Sequence, residues 1–247
     1  MPNVLITGGA RGIGRATAIL AAERGWSVAI NYNSDEEAAH DTRTVVEGRG
    51  QRGIVVQGDV ADEQQVIAMF DQATSELGGL DAVVVNAGIV ALSTCLAEMD
   101  GDRIRRMIDV NATGALFSAR EAVRRTGTAH GGNGGALVFV SSRASQLGSP
   151  FEYVDYAASK GAIDTLTIGL AKEVGAENIR VNAVRPGLIE TAIHASGGRP
   201  ERAHQLGSQT PLGRPGTPEE VASAIMWLLG PEASYVTGAI MDVAGGR

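Results

Sequence analysis

The chain has 247 residues, 44% of them hydrophobic, enough for one substantial core, and α/β domains of that length are commonly single. Its formal charge of −7 comes without a run of five like charges, which speaks against a nucleic-acid tract or an anionic-membrane surface. A single cysteine excludes an intrachain disulfide and a thiolate cluster, and His40, His130, His194 and His204 offer no pair at helical zinc spacing, so no metal is expected.

Met1-Pro2-Asn3 leads into an apolar run without a basic leader, and no apolar stretch approaches about 18 residues. A cytoplasmic protein is expected. The strand-like run 4–7 stops at Gly8-Gly9-Ala10-Arg11-Gly12-Ile13-Gly14, and 16–24 is helix-patterned. Strand, glycine turn and helix together suit a dinucleotide: glycines let backbone approach a diphosphate, and the helix end offers free N–H groups and a positive dipole.

The alternation repeats, with strands predicted at 27–32, 54–57 and 82–85 and helices at 35–48 and 63–77. Strands alternating with helices predict a parallel sheet with helices on both faces and ligands beyond the carboxyl ends of its strands. After the third strand, Asp59 either accepts from an adenine amino group or caps the next helix; after the fourth, Gly88 either lets backbone pass close to the cofactor or forms an ordinary turn. Cys95 is expected to be a buried structural thiol.

A helix predicted over 102–125 carries Asn111 in its middle, where Asn is a mediocre helix former; a side chain bonding a carbonyl or a water would bend the helix there. Residues 130–135 read as a flexible surface loop. A buried strand at 136–140 ends at Ser141-Ser142, so at least one of these hydroxyls faces the cleft, and the loop from 142 to 156, with Gly148, Pro150, Glu152 and Tyr153, forms a substrate wall. Tyr156 and Lys160 follow on a helix predicted to run to Val174. Being four apart they share one face, so an ammonium can favour the phenolate and the pair can exchange a proton. With four Tyr and two Lys, chance places this spacing about 0.03 times in such a chain, although a Tyr packed beside a snorkelling Lys looks the same. A strand at 179–184 ends in Arg185-Pro186-Gly187, and the Gly/Pro-rich segment 188–216 is long enough to be a lid. Thr217 and Glu220 form a predicted capping box for a helix at 218–229, and 239–243 is a last strand.

TGGARGIG at 7–14, Asp59-Val60, VNAG at 85–88, Asn111, the Ser142 strand end, YAASK at 156–160, RPG at 185–187 and YVTG near the end occur in the order of the short-chain dehydrogenases/reductases, which the chain resembles along essentially its whole length. It looks most like a bacterial branch named for similarity to glucose dehydrogenases or 3-oxoacyl-carrier-protein reductases. The resemblance implies a single-domain Rossmann-type α/β fold, doubly wound, and an NAD(P)-dependent oxidoreductase acting on a secondary alcohol or its ketone. By the same resemblance Tyr156 exchanges the proton, Lys160 lowers its pKa and holds the nicotinamide ribose, Ser142 binds the substrate oxygen and Asn111 holds a relay water. Gly8, Gly12, Ile13 and Gly14 cradle the diphosphate. Asp59, Val60, Asn86, Ala87 and Gly88 line the adenosine and ribose, Pro186, Gly187, Ile189 and Thr191 bracket the nicotinamide, and Tyr153 faces substrate. The family commonly places its Ser 13 positions before the Tyr, where this chain has Arg143, so Ser142 is assigned and the loop is one residue longer. Arg143 reads either as an anion contact or as a solvated rim residue.

An NAD enzyme of this fold places a carboxylate at the end of the second strand, a position filled here by Tyr32. Arg11 in the glycine turn, where related NADP enzymes carry a basic residue, and the donor Ser34 favour a 2′-phosphate, while Asn33 stands where such relatives often have a second Arg, so NADP is expected over NAD, modestly. The substrate is expected to be a small sugar, polyol or other carbonyl. A carrier-protein thioester with Arg124 and Arg125 as anchors, and a non-catalytic NAD(P)-binding regulator, are the alternatives. A homotetramer is implied, and the helices at 102–125 and 156–174 carry more apolar and small residues than one sheet face needs.

Overall fold

Period-two alternation divides the strand side chains between two cores, which is why every central strand reads as a continuous apolar run. A computed structural model describes residues 1–247 except the side chain of His194. Its seven strands, β1 (Asn3–Ile6), β2 (Ser27–Tyr32), β3 (Gly53–Gln57), β4 (Ala82–Val85), β5 (Gly135–Val140), β6 (Ile179–Pro186) and β7 (Ile240–Val243), pair in parallel in the order β3-β2-β1-β4-β5-β6-β7. Val4, Ile6, Val28, Ile30, Val84 and Val138 face one core, completed by α1 (Gly12–Glu23), α2 (Glu36–Glu47) and, late in the chain, α10 (Pro218–Leu229). Leu5, Ala29, Val83, Val85, Leu137 and Phe139 face the other, covered by α3 (Glu63–Leu77), α5 (Gly114–Thr126) and α7 (Val154–Val174). Shorter helices α4 (Gly101–Ile108), α6 (Ala144–Leu147), α8 (Ile193–Ser196) and α9 (Arg202–Gly207) lie in the connections. From β1 the chain winds outward through β2 and β3, then returns to place β4 on the other side of β1. That reversal opens a crevice beyond the strand ends at β1 and β4.

Several expectations are corrected. The helix predicted over 102–125 is two helices, because five residues, Asp109–Thr113, form a π-turn around Asn111. The loops at 142–156 and 188–216 are not structureless: they contain α6, α8 and α9. Cys95 is exposed, since it precedes a one-turn 3₁₀ segment (Leu96–Glu98) outside both cores. The glycines at 131–135 do more than supply flexibility: a Cβ on Gly132 would lie 2.3 Å from the Thr126 carbonyl oxygen. The Thr217–Glu220 capping box is present as expected. No helix among the described residues is long and apolar enough to cross a membrane, and no group of three or more His, Cys, Asp or Glu among them could hold a metal ion.

Candidate active site

A cavity of about 540 Å³ occupies the crevice. Its floor is the glycine turn. Gly8 and Gly12 have φ of +62° and +53°, left-handed values that a side chain would strain. A Cβ on Gly14 would lie 2.3 Å from the Gly8 carbonyl oxygen, so Gly14 lets the first turn of α1 fold back on the loop. Two side chains from neighbouring strand ends hold the turn. Asn31 accepts from the Gly8 amide at 3.0 Å, and Asn86 donates to the Thr7 and Gly8 carbonyls at 2.9 and 3.0 Å. Asn86 therefore shapes the cradle. The N-terminus of α1 receives no side-chain cap and has no acid in its first turn, so its N–H groups and positive dipole end are available to a diphosphate. A cradle with this backbone, aimed into the cavity, fits a dinucleotide.

At the adenosine end, Tyr32 is buried at the close of β2, with Asn33 and Ser34 exposed beyond it. Arg11 reaches Asp35 at 3.1 Å, and Asp35 also caps α2 by accepting from the Ala38 amide. Asp59 accepts from its own loop at Ala61 and pairs with Arg106 at 3.0 Å; the cap of α3 is Asp62. Val60, Ala87, Gly88, Ile13, Pro186, Gly187, Ile189 and Thr191 all line the cavity.

The strand-end serines divide as their alternation requires. Ser141 is buried and donates to Asp164 at 2.7 Å, while Ser142 faces the cavity, accepts from the Ala144 amide at 3.1 Å and acts on the Tyr156 phenol, which lines the same cavity. Tyr156 keeps some exposure toward the cleft, yet enough protein surrounds the phenol that burial raises its pKa above 10.0, with Ser142 and the nearby Arg202 charge pulling it down. Lys160 is 4% exposed, and burial lowers its pKa to about 8 against the opposing pull of Asp164. Its ammonium lies 5.7 Å from the centroid of the Tyr156 ring and donates to the Val140 carbonyl at 2.8 Å. This differs from the expected effect of Lys160 on the phenol, because the cation is turned toward the end of β5.

Asn111 sits at the π-turn, where the bulge rotates its amide out of the helix. It accepts from the Ile89 amide at 2.8 Å and donates to the Ile89 carbonyl and to Ser159 Oγ at 3.0 and 3.1 Å. A Cβ on Gly88 would lie 3.3 Å from Asn111 Oδ1 and 3.4 Å from Lys160 Nζ, so Gly88 keeps these two groups near each other.

The outer wall comes from the loop before α7 and from the 188–216 segment. Tyr153 is buried and donates to the Gly197 carbonyl at 3.1 Å, tying the loop before α7 to α8. Glu152 is gripped by both Arg199 and Arg202, and Arg202 also lies over the Tyr153 ring. Arg143 is neither a free anion contact nor a solvated rim residue: it donates to the Arg247 main-chain oxygen and pairs with Asp242 at 2.9 Å. Arg124 and Arg125 both bind buried Glu121, and Arg125 also binds Asp71, which leaves a poor carrier-protein anchor. Distant loop residues such as Glu152, Arg202 and Arg247 have no spacing signature, so only the fold brings them together.

Comparison with known proteins agrees with this geometry. A family described as enoyl-(acyl carrier protein) reductase matches residues 8–247. The uncharacterized oxidoreductase YgfF of Escherichia coli (strain K12) is 51% identical over the full length of both chains, and cis-4-hydroxycyclohexanecarboxylate dehydrogenase of Sinomonas cyclohexanicum is 40% identical over 98% of this chain and 94% of its own. The crystal structure of a short-chain type dehydrogenase/reductase from Mycobacterium marinum, 33% identical, superposes with a TM-score of 0.93 over 99% of this chain and 94% of its own. The chain belongs to the short-chain dehydrogenase/reductase family. As a short-chain dehydrogenase/reductase it is an enzyme, an oxidoreductase that works with a nicotinamide cofactor, and its doubly wound sheet is the Rossmann-type fold of that family.

Proposed function

We propose that this enzyme moves a hydride between NADP and a secondary alcohol or its ketone, with Tyr156 as the general acid and base. The observation that carries the reading is the pair of hydroxyls, Ser142 and Tyr156, that line one cavity whose floor is the glycine turn. A bound nicotinamide supplies or accepts the hydride. Ser142 and Tyr156 then hold the substrate oxygen between them. With its pKa raised by burial, the phenol is protonated at neutral pH and suited to donate to the oxygen of a carbonyl as it is reduced. Lys160 holds the ribose, and the Asn111 amide, kept near Lys160 by Gly88, supports a water that passes protons to the ammonium. The segment 188–216 closes over substrate, the Tyr153 and Glu152 contacts being its attachment to the opposite wall.

Arg11 supports NADP over NAD, with no carboxylate at Tyr32 to repel a 2′-phosphate. Asp35 competes for that guanidinium, so the preference is about 10-fold, or about 1.4 kcal/mol. A small-molecule alcohol fits the cavity better than a carrier-protein thioester, since Arg124 and Arg125 are already paired. Four copies assemble through the α5 and α7 faces.

One experiment tests catalysis and cofactor together. A panel of sugars, polyols and ring alcohols, hydroxycyclohexanecarboxylates included, is followed at the nicotinamide absorbance band with wild type and Tyr156→Phe. The variant is expected to lose at least 99% of kcat while still binding NADPH about 10-fold more tightly than NADH. Retention of a tenth of kcat would remove Tyr156 from its role. A tighter complex with NADH would remove the NADP preference alone.

A further inference from the structure

The substrate end of the cavity holds more positive charge than its acids neutralise. Glu152 is the carboxylate of this wall, and it is shared by two guanidiniums, Arg199 from outside and Arg202 from within the cavity lining. Arg143 is satisfied by Asp242, which also lies within reach of Arg185, and Arg185 has Asp164 as well. Arg247 lines the same cavity, and its guanidinium has no acid within ion-pair distance among the described residues. It is exposed as a residue, but the surrounding protein lowers its pKa by desolvation, Arg202 and Arg143 adding repulsion against the pull of Glu152; all four line the cavity, and the Arg247 main-chain oxygen accepts from Arg143 Nε at 2.7 Å.

Arg202 is the sharper case. Its side chain is 14% exposed; one Nη donates to Glu152 at 2.6 Å, and its Nε is buried without a hydrogen-bond partner. A buried guanidinium N–H left unmade is costly, of the order of 1–3 kcal/mol. The Nε itself is closed off from the cavity, so a ligand meets Arg202 through the part of its side chain that lines the cavity. Its position beneath Glu152 and against the Tyr153 ring fixes the plane of the guanidinium, so the group is already oriented for a planar partner.

Resting on the oxidoreductase reading above, we propose that the substrate carries a carboxylate in addition to the reacting alcohol or ketone, and that Arg202, with Arg247 beside it, binds that carboxylate. Arg202 is a specificity-determining contact and takes no part in proton or hydride transfer. Arg202 and Tyr156 line one cavity, so a carboxylate at the one and a reacting carbon at the other belong to a single molecule. The competing account is that Arg202 only straps the 188–216 segment to Glu152. A strap selects nothing, so its loss weakens charged and neutral ligands alike.

The test uses two unreactive probes of equal shape, cyclohexanecarboxylate and cyclohexanecarboxamide, titrated calorimetrically into the full-length protein with NADPH present. Wild type is expected to bind the carboxylate at least 10-fold more tightly than the amide, about 1.4 kcal/mol, and less so as salt rises. Arg202→Met is expected to bring the two within twofold, and Arg247→Met to reduce the difference about threefold, with NADPH affinity unchanged in both. Equal binding of the probes by wild type overturns the proposal, as does equal weakening of both in Arg202→Met. If Arg202→Met does not fold, the wild-type pair and Arg247→Met decide: a preference that Arg247→Met leaves whole, or no preference at all, overturns it. Neither probe has a hydroxyl to oxidise, so the result stands apart from the Tyr156→Phe assay, and either reading can fail alone.

Discussion

Lys160 shows how much one residue costs the fold it serves. In the unfolded chain its ammonium titrates near 10.5, and burial brings this to about 8 in the folded protein. At pH 7 both states hold the proton, so folding buries a charge at a cost of about 3 kcal/mol. As pH rises from about 8 to 10.5 the folded state gives up its proton before the unfolded state does, so stability increases with pH across that window and the penalty is gone above it. Lys160→Met is therefore expected to exceed wild type in unfolding free energy most clearly at pH 7, with the gap shrinking by about 3 kcal/mol by pH 10.5, as read from urea denaturation of both proteins. A gap that stays constant with pH would show that the buried ammonium is fully compensated. The Tyr156–Lys160 spacing was legible because both residues lie on one helix and both types are rare in the chain. Arg202 was not legible: its meaning comes from Glu152, 50 positions away, and from a buried atom that no pattern records.

Among the elements, most strands and long helices emerged from the sequence within a residue or two, because their apolar periods follow directly from burial on one or both faces, whereas α1 starts at Gly12, four residues before the predicted 16, since the glycine turn forms its first turn. Irregular pieces did not. The π-turn at Asp109–Thr113 breaks no period, and Asn111, a poor helix former in mid-helix, was its sole sign. Short helices such as α6, α8 and α9 are too brief for periodicity to register. The glycine turn was legible as a motif, but the reason for Gly14 is a contact. Gly14→Ala places a methyl 2.3 Å from the Gly8 carbonyl and 2.7 Å from the Asn86 amide nitrogen, so the turn must open and both clamps must shift. A loss of about 1–3 kcal/mol is expected, with NADPH affinity down at least 10-fold, measured by thermal denaturation and nicotinamide fluorescence. An unchanged cofactor affinity would mean that the cradle does not depend on this close approach.

Over the whole molecule, the faces of α4, α5 and α7 leave Ile108, Leu116 and Ile168 at 38%, 52% and 44% exposure, more apolar surface than helices that merely cover a sheet need to show. Beside them Arg120, Arg124 and Arg125 converge on Glu121, which burial pushes up but hydrogen bonds from Arg125 and Arg120 hold below the usual carboxylate range, making a stiff, charged border to the patch. Assembly through these faces predicts four times the 25.5 kDa chain mass in light scattering at micromolar concentration; a mass of one chain would refute it.

The division of labour between sheet and loops has a consequence for how such an enzyme changes over generations. The groups proposed to handle protons are anchored at strand ends and on α7, where most substitutions disturb a core. Glu152 stands on the loop before α7, Arg202 at the start of α9 and Arg247 beyond β7, all outside both cores. On the proposed role of Arg202, mutation can explore new substrates there while the chemistry beneath it is inherited unaltered, and descendants of one ancestral chain can part ways in what they consume long before they differ in how they react.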